Sequence, residues 1–283
     1  MTIYPILVGG LGNRLYQIAN ALRIGEELNC DVKFSRVIAT NNDVNNFRHL
    51  AIRSEDFSDF GGHPLITKSG LPSTINDIFP NLSFSENQHY MSDIINNKQI
   101  FFEHNINQLS TGKDCVIMGY YFGYRFVSSQ INKLKSHFNP IIDEYINLTY
   151  PELISKKIFG IHLRLGIGSD NNPAIEVPIE YYNSIIKKEY NNFDEIYIIS
   201  DNVEKSKNFI YNLDIGDKPI KVINDEPMYV DMLILSKCSI LSIAPSTLSA
   251  WSSYFNEYKN IYVPKIWTHH HWTNDIAKEW KLY

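Results

Sequence analysis

The sequence predicts an α/β fold built on parallel sheets, and two features carry that prediction. In the C-terminal half, short apolar, β-branched runs alternate with longer segments of helical periodicity, strand then helix, four times over. The N-terminus opens the same way, with an apolar run, a glycine-rich turn and an amphipathic segment. Strands joined by helical crossovers run parallel and need helices on the faces of their sheet.

In order, "IYPILVG" (3–9) is the first strand and "GGLGN" the turn after it. In "RLYQIANALRIGEELN" (14–29), Leu15, Ile18, Ala19 and Leu22 share one helical stripe. "CDVKFSRV" (30–37) is the next strand, and residues 40–110, polar and rich in Asn and Gly, receive no assignment. "DCVIMGYYF" (114–122) reads as a strand and "RFVSSQINKLKSHF" (125–138) as a helix. The strands of the second half are "KKIFGIHLRL" (156–165), "EIYIIS" (195–200), "IKVIN" (220–224), "SILSIA" (239–244) and "NIYVP" (260–264). Between them, "PIEYYNSIIKKEY" (178–190), "VEKSKNFIYNL" (203–213), "MYVDMLILSKC" (228–238) and "STLSAWSSYFN" (246–256) read as helices. Each half is then a Rossmann-like domain. Asn139 to Lys157, with two prolines and mixed charge, holds the boundary, and the expected division is 1–145 and 146–283.

The chain of 283 residues is 44% apolar and 20% charged, as in a soluble globular protein. Its formal net charge of −5 gives no global attraction to nucleic acid or anionic membrane, so no nucleic-acid partner is expected and any polyanion site must be local. Cys30, Cys115 and Cys238 are far apart, in no metal-ligand spacing, and read as free thiols of a reducing compartment. "MTIYPILVGG" lacks the basic start and the apolar length of a signal peptide or membrane span, and no long apolar run occurs elsewhere. A cytoplasmic protein is expected, not anchored by its own sequence, with peripheral membrane contact left open and the oligomeric state unspecified.

Several stretches carry candidate chemistry. His162 and Arg164 share one face of their strand, with Ile161, Leu163 and Leu165 on the other. A guanidinium at a strand exit is costly unless it meets an anion. Gly10, Gly12 and Asn13 form either a tight turn or a loop that admits a ligand close to the backbone. The loop fails the dinucleotide fingerprint, because Leu15 stands where the third glycine belongs, which disfavours a nicotinamide cofactor. Ser246 and Thr247 open a helix after Pro245, as a plain N-cap or as an anion site beside unpaired N–H groups. Ser200 and Asp201 close a strand at the end where open parallel sheets bind ligands, while Asp201 with Glu204 also fits a capping box. His269, His270 and His271 are adjacent and point apart, so a metal site is not expected and an exposed loop is.

Taken in order, these segments resemble glycosyltransferase family 11, the α-1,2-fucosyltransferases, and more distantly the wider fucosyltransferase superfamily. "GGLGNRLYQIANALRIGEEL", "IMGYYFGYRFVSSQINKLKSHFNP", "FGIHLRLG", "YIISDN", "DMLILSKCSILSIAPSTLSAWSSYFN" and "IYVPKIW" are each similar to a family motif. Only about residues 40–110 lie outside the resemblance. It implies a GT-B-like architecture, with two parallel-sheet Rossmann-like domains facing a cleft, the first on the acceptor side and the second holding the donor. It implies a metal-independent, inverting transfer of fucose from GDP-fucose to a glycan hydroxyl, α-1,2 to galactose, with no cofactor beyond the donor substrate. Arg164 would hold the departing β-phosphate, helped by the Ser246 and Thr247 helix end, and His162 would touch the nucleotide or pyrophosphate. Ser200 and Asp201 would line the donor site, and Gly10, Gly12 and Asn13 the cleft. Asp231 matches an acidic residue near the nucleoside, its plain alternative being a favourable charge in a helix's first turn. Two departures stand out. Leu165 replaces a second motif arginine and Gly166-Ile167-Gly168-Ser169-Asp170 follows, a form closer to protein O-fucosyltransferases. Another GDP-hexose, or a silent glycan-binding protein, therefore stays open, and no general base is identified.

Overall fold

The computed structural model describes residues 1–38, 66–91, 94, 98–109, 112–165, 177–268 and 275–283. The three consecutive histidines, Gly166 to Asp170 and, within the unassigned middle, residues 40–65, 92–93, 95–97 and 110 lie outside these. The chain divides into two compact units, Met1–Asn139 and Pro140–Tyr283.

In the first unit, β1 (Thr2–Pro5), β2 (Asp31–Val32), β5 (Gln99–Phe102) and β6 (Cys115–Met118) form a parallel sheet in the order β2-β1-β6-β5. The α-helix α1 (Leu11–Leu28) crosses between β1 and β2, burying Leu15, Ile18 and Ala19 as the stripe predicts, while Leu22 is only half-buried. The expected strand 30–37 is instead two elements. After Lys33 the chain leaves the sheet, and β3 (Phe34–Ile38) pairs in parallel with β4 (Phe84–Tyr90) as a separate ribbon. The expected helix 125–138 is broken into Tyr124–Val127, a 3-10 turn at Ser128–Gln130, and Ile131–Ser136. Val127 and two serines are weak helix formers, and Gln130, buried, is drawn to Glu26 of α1 at 2.7 Å.

The second unit begins with α2 (Pro140–Thr149), where Pro140 opens the helix at the position that tolerates a missing N–H. Its sheet contains β7 (Ile158–Leu163), β8 (Glu195–Ser200), β9 (Ile220–Ile223), β10 (Ile240–Ser242), β11 (Ile261–Val263) and β12 (Trp280–Leu282). All pairings are parallel, in the order β9-β8-β7-β10-β11-β12. The crossover helices are α3 (Ile179–Glu189), α4 (Val203–Tyr211), α5 (Met228–Lys237) and α6 (Thr247–Phe255). Counted from β7, this is the doubly wound order 3-2-1-4-5-6, which reverses between β7 and β10. Ligands of such sheets bind beyond the carboxyl ends of the strands at that reversal.

The pleat of β7 serves both faces. Phe159, Ile161 and Leu163 join Tyr182, Ile185, Ile196 and Ile198 in one core cluster. Burying each such side chain contributes roughly 1.5–3 kcal/mol. On the other face Gly160 admits α5: a Cβ there would lie 2.7 Å from Cys238 Sγ.

Candidate functional site

Three of the predicted segments meet at the reversal of strand order. β7 ends at Leu163, β10 ends at Ser242, and α6 starts just beyond β10. His162 ties the two together. Its side chain is buried, and Nδ1 lies 2.7 Å from Ser249 Oγ in the first turn of α6. Ser249 Oγ donates to the Ala244 carbonyl at 3.1 Å, so it accepts from His162 Nδ1–H, which sets the tautomer. Burial pushes the imidazole down to about 4, opposed by the Asp201 carboxylate and reinforced by Arg164. A neutral ring, bonded through Nδ1, thus fastens α6 to the strand.

At the start of α6, the Ser246 side chain accepts from Leu248 N–H at 3.3 Å, so the plain N-cap is realised. Ser246 and Thr247 are half-buried rather than covered, and no acidic side chain occupies the first turn. The N–H groups of that turn carry partial positive charge toward the sheet's carboxyl edge.

Arg164 follows directly after β7. The anion demanded by its charge is supplied first by the protein: Nη1 lies 3.1 Å from Asp201 Oδ2. The arginine side chain retains 29% exposure beside this carboxylate. A guanidinium carries five N–H donors, and one ion-pair contact leaves most of the fork for another oxyanion. Asp201 has a second task, accepting the Leu165 N–H at 2.8 Å. This corrects the capping-box reading. The cap of α4 is Asn202, whose side chain accepts from Lys205 N–H at 3.0 Å, because the Asp201 carboxylate is drawn to the neighbouring strand. The Ser200 hydroxyl also turns inward, donating to the Asn202 carbonyl at 3.2 Å and accepting its N–H at 3.1 Å.

Asp231 is half-buried in the first turn of α5, at the same edge of the sheet. It belongs to a second polar cluster. Glu226, buried one turn earlier, accepts from Tyr150 Oη at 2.6 Å and Tyr145 Oη at 3.0 Å. Burial and this bond push the Tyr150 hydroxyl well above its ordinary value, and the Asp231 charge adds to the shift. The glycine loop belongs to the first unit. Gly9 has φ +78° and closes against Asn13, whose Nδ2 would sit 2.5 Å from a Cβ there. Gly10 caps α1, and Gly12 and Asn13 lie in its first turn. Gln17 holds Val8 through both its N–H, at 2.9 Å, and its carbonyl, at 3.2 Å, while buried Arg14 donates to the Gly9 carbonyl at 2.8 Å.

Sequence reasoning missed Ser249, Lys205, Gln17 and Arg14. Gln17 and Arg14 sat within the quoted motif but carried no spacing signal. Ser249 and Lys205 follow their caps by three residues, a signal that identifies a helix turn and not a partner. Among the described residues, no group of three or more His, Cys, Asp or Glu side chains gathers as a metal site, and no helix is long and apolar enough to cross a membrane.

No family model matches the sequence, and no curated protein does. Among solved structures, the chain is similar to POFUT1 in complex with GDP-fucose, with a TM-score of 0.51 at 10% identity over 90% of this chain and 93% of that one. A second crystal form of that complex gives 0.50 at 9% identity, with the same coverage. A variant of Arabidopsis thaliana FUT1 in complex with GDP gives 0.49 at 14% identity, over 93% of this chain and 69% of that one. At these identities the likeness is one of fold. The fold is the GT-B-like class expected from the sequence: two α/β units, each on a parallel sheet.

Proposed function

We propose that the chain is a metal-independent, inverting glycosyltransferase that moves fucose from GDP-fucose to a glycan hydroxyl, in its finer form α-1,2 to galactose, within the cytoplasm. The observation that carries the reading is the exit of β7. There a part-exposed Arg164 and the N-terminal turn of α6, which holds no acidic side chain, are fastened together, at the strand reversal, by the bond from His162 to Ser249. The order of the motifs along the chain and the shared fold support it.

The chemistry follows from charge. As the glycosidic C–O bond breaks, negative charge grows on the β-phosphate. A guanidinium fork and helix N–H groups already in place stabilise that charge where it develops, and need no reorganisation. Removing one such contact typically raises the barrier by about 2.7–4 kcal/mol. Asp231 would sit toward the nucleoside, and the glycine loop of the first unit would serve the acceptor side of a cleft.

The test is Arg164→Ala, with GDP binding and fucose transfer measured on purified protein. Transfer should drop at least a hundredfold; unchanged transfer refutes the role. Leu165 favours a second reading, since a side chain without charge after Arg164 permits another GDP-hexose. A panel of sugar nucleotides read by GDP release separates the two. A chain that does not bind GDP at all would be a silent glycan-binding relic.

A further inference from the structure

We propose that Lys205 is a positioning residue that acts with Asp201 to set both the direction and the free charge of Arg164. The inference rests on the reading of Arg164 as a diphosphate ligand. The pairing of β7 with β8 ends at Leu163 and Ser200, so the next peptide groups have no ladder partner and need one elsewhere. At Leu165 both are met by the same βα connection. Asp201 Oδ1 accepts the Leu165 N–H at 2.8 Å, and Lys205 Nζ donates to the Leu165 carbonyl at 2.9 Å. Arg164 is therefore followed by a peptide clamped at its N–H and its carbonyl. Lys205 is itself held, because its own N–H bonds the cap Asn202 at 3.0 Å, and the adjacent Glu204 is engaged by Lys207.

Satisfying a strand end needs only neutral donors and acceptors; an Asn and a Gln would do. The charges matter because of what lies beside them. Asp201 alone, 3.1 Å from Arg164 Nη1, would cancel the charge an incoming anion must find. Lys205, across the same peptide, returns one net positive charge to the group. The carboxylate then orients the guanidinium without neutralising the site.

Opposite effects on GDP affinity test this. Titration of GDP into the full chain by calorimetry compares wild type with Lys205→Gln, Lys205→Arg and Asp201→Asn, each checked by thermal melting. Lys205→Gln keeps a donor but loses the charge, and should weaken GDP binding about tenfold, the scale of one charge-assisted contact near a surface. Lys205→Arg should bind like wild type. Asp201→Asn keeps an acceptor for the Leu165 N–H, removes the competing anion, and should bind GDP several-fold tighter. Wild-type affinity in Lys205→Gln overturns the proposal. So does equal weakening in Lys205→Gln and Asp201→Asn, which marks a loosened strand end. Should Lys205→Gln melt early, Asp201→Asn decides alone, since tighter binding does not come from disorder. Absence of GDP binding by the wild type is a separate result and overturns the functional reading instead.

Discussion

Acidification from pH 7.5 to pH 5 should destabilise the second unit through His162. Its imidazole, buried and already donating to Ser249, stays neutral down to about pH 4, against an ordinary value of 6.5. The unfolded chain exposes the same ring to water, where it takes a proton below pH 6.5. Between these two values the unfolded state binds more protons, so stability rises with pH across the window. The contribution is fully present above pH 6.5 and is lost progressively as the pH falls toward 4. One pKa unit is worth about 1.36 kcal/mol, so the loss reaches about 2 kcal/mol at pH 5 and roughly 3 kcal/mol at the lower limit. Glu26, Glu152 and Glu189 are held below their ordinary value of 4.5 and release their stabilisation only at more acid pH. They therefore leave most of the window clear. The assay is urea unfolding followed by tryptophan fluorescence, since Trp251, Trp267 and Trp280 belong to the unit containing His162 and no tryptophan of the sequence precedes residue 251. His162→Asn, which keeps a donor toward Ser249 and cannot titrate, is the reference. Wild type should lose about 2 kcal/mol relative to the variant between pH 7.5 and pH 5. Parallel profiles would refute the reasoning.

Arg164→Lys keeps a charge without the planar fork, so GDP affinity should fall about tenfold by titration calorimetry; wild-type affinity would show that only the charge matters. Gly160→Ala forces a methyl to within 2.7 Å of Cys238 Sγ and 3.0 Å of its Cβ. It should cost about 1–3 kcal/mol in urea unfolding. Adding Cys238→Ala should recover part of that loss, and an additive double variant would mean that the clash lies elsewhere. Tyr150→Phe removes the 2.6 Å bond to buried Glu226 and should cost about 1.5–3 kcal/mol, the worth of a hydrogen bond to a charged group. An unchanged melting temperature would show that Tyr145 alone satisfies the carboxylate.

How much of this was legible depended on how completely each element buries its own residues. β8 is buried from Glu195 through Ile199, and its limits coincide with the predicted 195–200. A strand covered on both faces reads as an unbroken apolar run. β12, with two of its three residues exposed, and β4, with the polar sequence "FSENQHY", offered no such run. Their strand character comes from pairing with β11 and β3, which no local pattern announces. The helix α2 was hidden inside the expected boundary because Pro140 reads equally as a stop and as a helix's first residue.

At the candidate site, alternation alone put His162 and Arg164 on one face. It could not assign them different tasks, because those tasks are set by neighbours distant in sequence: Ser249 for the histidine, Asp201 for the arginine. The capping-box reading of Asp201 failed for an instructive reason. "SDNVEK" contains two residues able to cap α4, and local chemistry ranks Asp201 and Asn202 as near equals. The register of β8 against β7, with Ser200 opposite Leu163, brings Asp201 within reach of an orphaned N–H and a cation at once. A charged acceptor gains more there than at a helix end, where the neutral amide of Asn202 serves. The helix cap and the strand clamp are thus solved together, each by the residue whose charge suits it, and that division leaves Arg164 aimed rather than buried.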